Sequence, residues 1–72
     1  MIRLPLLSEK EIIKSLTKIG YRPIRQRGSH VRLSCIGRKS VTVPNYKVVS
    51  RGLLSKILRD AELLPEEFYK LV

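Results

Sequence analysis

Residues 25–30 read Arg25-Gln26-Arg27-Gly28-Ser29-His30, and this stretch decides how the middle of the chain folds. Because glycine adopts positive φ without steric cost, Gly28 and Ser29 predict a tight turn that begins a new strand at His30. The stretch also holds the chain's only histidine, just after two arginines that can bind anions. A lone histidine in a strand is more often a surface or packing residue than a catalyst, so both interpretations stay open at this point.

The residues on either side of this turn alternate as strands do. Residues 21–27 predict a first strand, and Pro23 within it indicates an edge strand because proline cannot donate to a ladder. Residues 29–36 predict a second strand, with apolar and polar side chains on opposite faces. Gly37-Arg38-Lys39 predicts a short hairpin connection, and residues 41–43 predict a third strand closed by a proline.

Two longer helices and one short helix flank these strands. Ser8-Glu9-Lys10-Glu11 is a capping box and predicts a helix over 9–19, ended by Gly20. Ser50 predicts the cap of a second helix over about 51–61, and the prolyl segment 64–67 predicts a short terminal helix. Gly52 would cost about 1 kcal/mol relative to alanine in the first turn. Either the second helix starts later or a ligand approaches closely there.

The elements follow the order α-β-β-β-α in one domain spanning residues 1–72. We therefore predict an α+β fold in which a three-stranded antiparallel sheet carries both main helices on one face. A chain this short buries only about 60% of its unfolded surface, which favours an open groove over an enclosed pocket. The covered face should carry Val31, Leu33, Cys35, Val41 and Val43, and the open face Arg25, Arg27, His30, Arg32, Ser34 and Thr42.

Positive charge is concentrated in the middle of the chain. The formal net charge is +9 over 72 residues, and all six acidic residues lie outside 22–59, which holds ten basic residues. Soluble surfaces usually intersperse the two signs, so this segregation indicates a polyanionic partner. Nucleic acid is the first candidate and an anionic membrane surface the second.

Several classes of protein are excluded by the composition. A single cysteine, Cys35, permits no internal disulfide, and one Cys with one His is no zinc-ligand set, so we expect no metal or other cofactor and place Cys35 in the core. No apolar run approaches the ~18 residues of a membrane span, and the segment 1–7 is too short for a signal peptide. We expect a cytoplasmic protein that does not bind a membrane.

In order, the motifs Gly20-Tyr21, Arg25 to His30, Val41-Thr42-Val43-Pro44 and Arg51-Gly52-Leu53 resemble the HicA (YcfA-like) family over about residues 8–68. This resemblance implies a fold similar to double-stranded RNA-binding domains. It also implies a type II toxin that cleaves mRNA with its strand histidine, which falls on His30, and that is neutralised by a HicB antitoxin. The chain differs from many members at three positions. Many members carry an aromatic residue or His where this chain has Val31, a His where it has Tyr46, and a Thr where it has Leu53.

The residues themselves suggest how such chemistry would work. Metal-independent RNA cleavage needs a base for the 2′-OH, an acid for the leaving 5′-oxygen and positive charge near the phosphorus. His30 is the candidate base, while Tyr46, Lys47 and a proton left on His30 stay open as the acid. The candidate RNA-binding residues are Arg25, Arg27, Ser29, Arg32, Arg38, Lys39, Lys47 and Arg51.

Two functions of other classes stay open beside the nuclease. The first is a non-catalytic RNA-binding module of the same fold, although the segment 50–56 resembles the lysine-rich start of helix 2 in such domains only loosely. The second is a DNA-binding transcription factor, which would need a helix-turn-helix that the sequence does not show.

Overall fold

In a computed structural model, which describes residues 4–72, the chain forms three helices and one sheet. The three strands pair antiparallel in the order β1-β2-β3. This confirms the predicted α-β-β-β-α order, which a third short helix extends, and it is consistent with a fold like that of double-stranded RNA-binding domains. The elements are α1 (Glu9–Thr17), β1 (Arg22–Arg27), β2 (His30–Cys35), β3 (Arg38–Pro44), α2 (Arg51–Asp60) and α3 (Pro65–Tyr69).

The hairpin predicted at residues 25–30 is present. Arg27 pairs with His30 across a two-residue turn, and Gly28 at the first turn position has φ 60°. Positive φ at the first position alone is the pattern of a type II′ turn, whose twist matches that of the flanking strands. The glycine therefore sets the register that places His30 directly opposite Arg27.

Some predicted boundaries were wrong by a few residues. The first helix ends at Thr17 rather than residue 19, because residues 18–20 form a turn that closes with Gly20 at φ 108°. The third strand begins at Arg38 rather than residue 41, since Cys35 pairs with Arg38 and leaves only residues 36–37 as the turn. Tyr21 precedes the first strand instead of starting it.

The helix starts agree with the capping residues. The Ser8 hydroxyl accepts from the Glu11 amide at 3.3 Å, and the Glu11 carboxylate accepts from the Ser8 amide at 3.0 Å. The Ser50 hydroxyl accepts from the Leu53 amide at 3.2 Å. Each cap satisfies amides that the first turn of a helix leaves without a partner, so α1 and α2 begin where local sequence dictates.

The core lies between the helices and one face of the sheet, because both α1 and α2 pack against β3. Cys35 is only half-buried at the rim of this core, since the register shifts between Leu33 and Cys35 near the end of β2. Its predicted place in the core is therefore correct only in part. The other residues predicted for the covered face, Val31, Leu33, Val41 and Val43, are buried. So are Ile12 and Leu16 of α1, Leu54, Ile57 and Leu58 of α2, and Ala61 at its C-cap.

Other buried contacts join segments that are distant in sequence. The Tyr21 hydroxyl donates to the Lys39 carbonyl at 2.7 Å, and burial raises the pKa of Tyr21 above its ordinary value, so the hydroxyl stays a donor at neutral pH. Phe68 of α3 is fully buried, and α3 packs against α2. Leu7 and Val49 form an isolated antiparallel bridge ahead of α2. These contacts close the domain around its small core.

Across residues 4–72, none of the helices has the length and apolar character needed to cross a membrane. The first three residues of the segment 1–7, which we assessed as a candidate signal peptide, lie outside the described residues.

Candidate nucleic-acid interface

The open face of the sheet contains a depression of about 320 Å³ around the histidine. Cross-strand pairs project from the same face of a sheet, and here Arg27 pairs with His30, while Arg32 pairs with Arg25 on one side and Thr42 on the other. Register thus gathers residues from all three strands at one place. The depression is lined by Arg25, Arg27, His30, Arg32 and Thr42.

His30 is exposed at the edge of the hairpin turn, where a substrate can reach it. The Ser29 hydroxyl lies 3.4 Å from His30 Nδ1, which is a long contact, and the Ser29 carbonyl accepts from the Asn45 amide at 2.5 Å. The backbone of the turn is therefore held against the end of β3. Within residues 4–72, the polar contact of the imidazole is this one with Ser29.

Arg32 is the most firmly positioned cation of the depression. Its Nη1 donates to the Thr42 hydroxyl at 3.0 Å, and Thr42 is half-buried on the adjacent strand. This contact fixes one branch of the guanidinium and leaves its other donors free. Strand alternation predicts Thr42 on the open face, but only the β2–β3 register shows that it pairs with Arg32.

The other candidate RNA-binding residues do not line the depression. Arg38 Nη1 donates to the Ala61 carbonyl at the end of α2 at 2.8 Å, and Arg51 Nε donates to the Leu4 carbonyl at 2.7 Å. Both guanidinium groups therefore donate to backbone carbonyls of this chain and contribute to its packing. Lys39 and Lys47 are exposed elsewhere, Lys39 near the start of β3 and Lys47 in the segment that leads to α2.

The two side chains considered as the general acid do not line the depression around His30. Tyr46 and Lys47 line a different depression, together with Ser8 and Glu9 at the start of α1. The Glu9 amide donates to the Tyr46 carbonyl at 3.1 Å, which holds this segment against the helix. The residues that line the His30 depression therefore include no second histidine and no carboxyl group.

The three strands that form this face carry basic residues and no acidic ones. No acidic residue occurs between residues 22 and 59, which include all three strands. Within residues 4–72, no group of three or more His, Cys, Asp or Glu side chains could hold a metal ion. The depression itself is lined by one imidazole, three guanidinium groups and one hydroxyl.

Gly52 lies in the first turn of α2, which begins at Arg51, so a later helix start is not the reason for this glycine. A Cβ added at Gly52 would meet nothing within 4 Å. We expect Gly52→Ala to stabilise the domain by about 0.4–1 kcal/mol, because alanine loses less backbone entropy on helix formation. Thermal unfolding measures this gain. If RNA approaches this turn closely, the same variant will bind RNA more weakly, and unchanged affinity would contradict that role for Gly52.

Comparison with known protein families agrees with this arrangement. The family described as the HicA toxin of bacterial toxin-antitoxin systems matches residues 10–63, three quarters of the 72-residue chain. The match includes the whole sheet, α2 and all but the first residue of α1. A comparison with curated proteins gave no match. The chain belongs to the HicA toxin family of bacterial toxin-antitoxin systems.

Proposed function

We propose that this chain is an mRNA endoribonuclease that acts without a metal ion and uses His30 as its base. The observation that supports this best is the depression in which an exposed imidazole lies among Arg25, Arg27 and Arg32. Cleavage of RNA at a phosphate needs a base that takes the 2′-OH proton and positive charge that stabilises the phosphorane. As the toxin of a type II system, the protein would act on mRNA in the cytoplasm.

The proposed reaction is a transesterification within the RNA. His30 takes the proton of a ribose 2′-OH, and the 2′-oxygen attacks the adjacent phosphorus. The bond from phosphorus to the 5′-oxygen breaks, leaving a 2′,3′-cyclic phosphate on one product and a 5′-hydroxyl on the other. The arginines stabilise the charge that develops on the phosphorane oxygens, and the Arg32–Thr42 contact keeps one guanidinium in place for this purpose.

The leaving 5′-oxygen must gain a proton. Because Tyr46 and Lys47 line a separate depression, the donors available here are the proton carried by His30 and solvent water. A single group serving both steps cannot be placed ideally for each, so turnover should be slow for a ribonuclease.

We expect the purified protein to cleave an unstructured RNA in excess EDTA. The products should carry 2′,3′-cyclic phosphate and 5′-hydroxyl ends, and a 2′-deoxy sugar at the cleaved nucleotide should stop the reaction because the nucleophile is gone. Analysis of the RNA ends by mass spectrometry tests this directly. Loss of cleavage in EDTA would contradict metal independence, and binding without any cleavage would favour the non-catalytic RNA-binding module.

A further inference from the structure

The sheet has a second surface feature at the end of β1 away from the Gly28 turn. A hollow of about 560 Å³ is lined there by Ile19, Gly20, Arg22, Ile24, Ser34, Cys35 and Ile36. Ile24 is 61% exposed and Ile36 is 102% exposed, and both of these large apolar side chains border the hollow. A hollow lined by exposed apolar side chains and bordered by Arg22 can accept an apolar side chain of a protein partner.

The strand beside this hollow is also open. All six residues of β1 are exposed, and β1 is an edge strand that pairs only with β2 in the sheet. Backbone N–H and C=O groups on the outer side of an edge strand are available to pair with a strand of another chain. The bulge between Pro23 and Arg25 interrupts the β1–β2 register at Ile24, whose side chain lines the hollow.

Charge and geometry restrict the partner that fits. Going along β1, Arg22 borders the hollow and Arg25 and Arg27 border the His30 depression, with no acidic residue in the strand. Six strand residues span about 20 Å, which an extended segment of similar length can cover. RNA has no alkyl side chain that could fill an apolar hollow, whereas a protein segment can bring both an apolar side chain and carboxylates.

We infer that the hollow and the outer edge of β1 form the docking site of the antitoxin, which binds with an extended acidic segment. One apolar side chain of that segment fills the hollow, and its carboxylates pair with Arg22, Arg25 and Arg27. Because two of these arginines line the His30 depression, the docked segment removes them from RNA. The existence of an antitoxin follows from family membership. The inference rests on the proposed function only in naming RNA cleavage as the activity that the antitoxin inhibits.

The test measures the affinity of this protein for its cognate antitoxin by calorimetry. Replacing Ile24 and Ile36 with glutamine removes the apolar rim without changing charge, and should weaken binding by about 10- to 100-fold, the effect expected for losing one or two buried side chains. The matched control is Leu64→Gln, because Leu64 is 60% exposed at the start of α3. Its affinity should equal that of the unmutated protein.

Two further measurements separate this inference from the nuclease proposal. The single variant Ile36→Gln removes no buried surface, so its fold should be intact and its antitoxin affinity still reduced. Amide hydrogens on the outer side of β1 should exchange more slowly in the complex, while those of α3 stay unchanged. Equal affinity of the unmutated protein and both isoleucine variants would overturn the docking site, whether or not the protein cleaves RNA. Weaker RNA binding with unchanged antitoxin binding would also overturn it.

Discussion

Replacing His30 with alanine should lower the rate of RNA cleavage by about 10²- to 10⁴-fold, the usual contribution of a general base. The side chain is exposed on the open face of the sheet, so its removal creates no cavity. The free energy of unfolding should change by no more than about 0.5 kcal/mol. RNA affinity should persist, since the arginines around the depression are unchanged. Single-turnover cleavage, thermal unfolding and filter binding measure the three quantities.

Tyr46→Phe and Lys47→Gln are the matched controls for His30→Ala. Both residues are exposed and polar, but they line the depression beside α1 rather than the one around His30. We therefore expect cleavage within about 3-fold of the unmutated rate, well below the effect of losing a general acid or base. A large loss in either control would make that residue the acid. If His30→Ala unfolds the domain, the histidine is structural, and if the folded variant cleaves at the original rate, the base is another group.

Affinity for single-stranded RNA should fall steeply with salt. With four to six phosphate contacts and a slope of about 0.7 per contact, log K should fall by roughly 3 to 4 per unit of log salt. This corresponds to a loss of about 50- to 300-fold between 50 and 200 mM. The physical reason is that each neutralised phosphate releases condensed counterions. Fluorescence anisotropy over this range gives the slope, and a flat dependence would rule out the basic face as the binding surface.

The contribution of the depression can be separated from that of overall charge. Replacing Arg25, Arg27 and Arg32 with glutamine should lower the slope by about 2, since three phosphate contacts are lost. Replacing Lys10, Lys14 and Lys70 with glutamine removes the same charge from residues outside the sheet. The slope of this control should stay nearly unchanged. Equal effects of the two sets would mean that RNA responds to net charge and not to the face that carries His30.

Local sequence was sufficient for the elements and for the composition of the two sheet faces. Caps at Ser8 and Ser50 and the glycine of the 25–30 turn act over three or four residues, so helix starts and the first hairpin could be predicted. The end of α1 and the start of β3 could not, because the first depends on the turn at residues 18–20 and the second on the pairing of Cys35 with Arg38. Phe68 gave little signal, since its burial requires α3 to pack against α2.

For the candidate site, the sequence predicts which residues share a face of the sheet but not which of them are in contact. Strand alternation was enough to place His30, Arg25, Arg27 and Arg32 on one face, because side chains in a strand alternate with a period of two. Which of them meet is a matter of register, and the structure adds Thr42 as the partner of Arg32. The membrane and transcription-factor alternatives have no support from the family match.

The sequence by itself determined a basic, acid-free sheet face with one histidine, and a toxin family that requires an antitoxin partner. Only the tertiary structure decided which cations remain available on that face. Arg38 and Arg51 donate to backbone carbonyls 23 and 47 residues away, while Tyr46 and Lys47 lie beside α1. Periodicity predicts which face of an element a side chain lies on. A hydrogen bond to a carbonyl far along the chain depends on how the elements pack, which no local sequence pattern encodes.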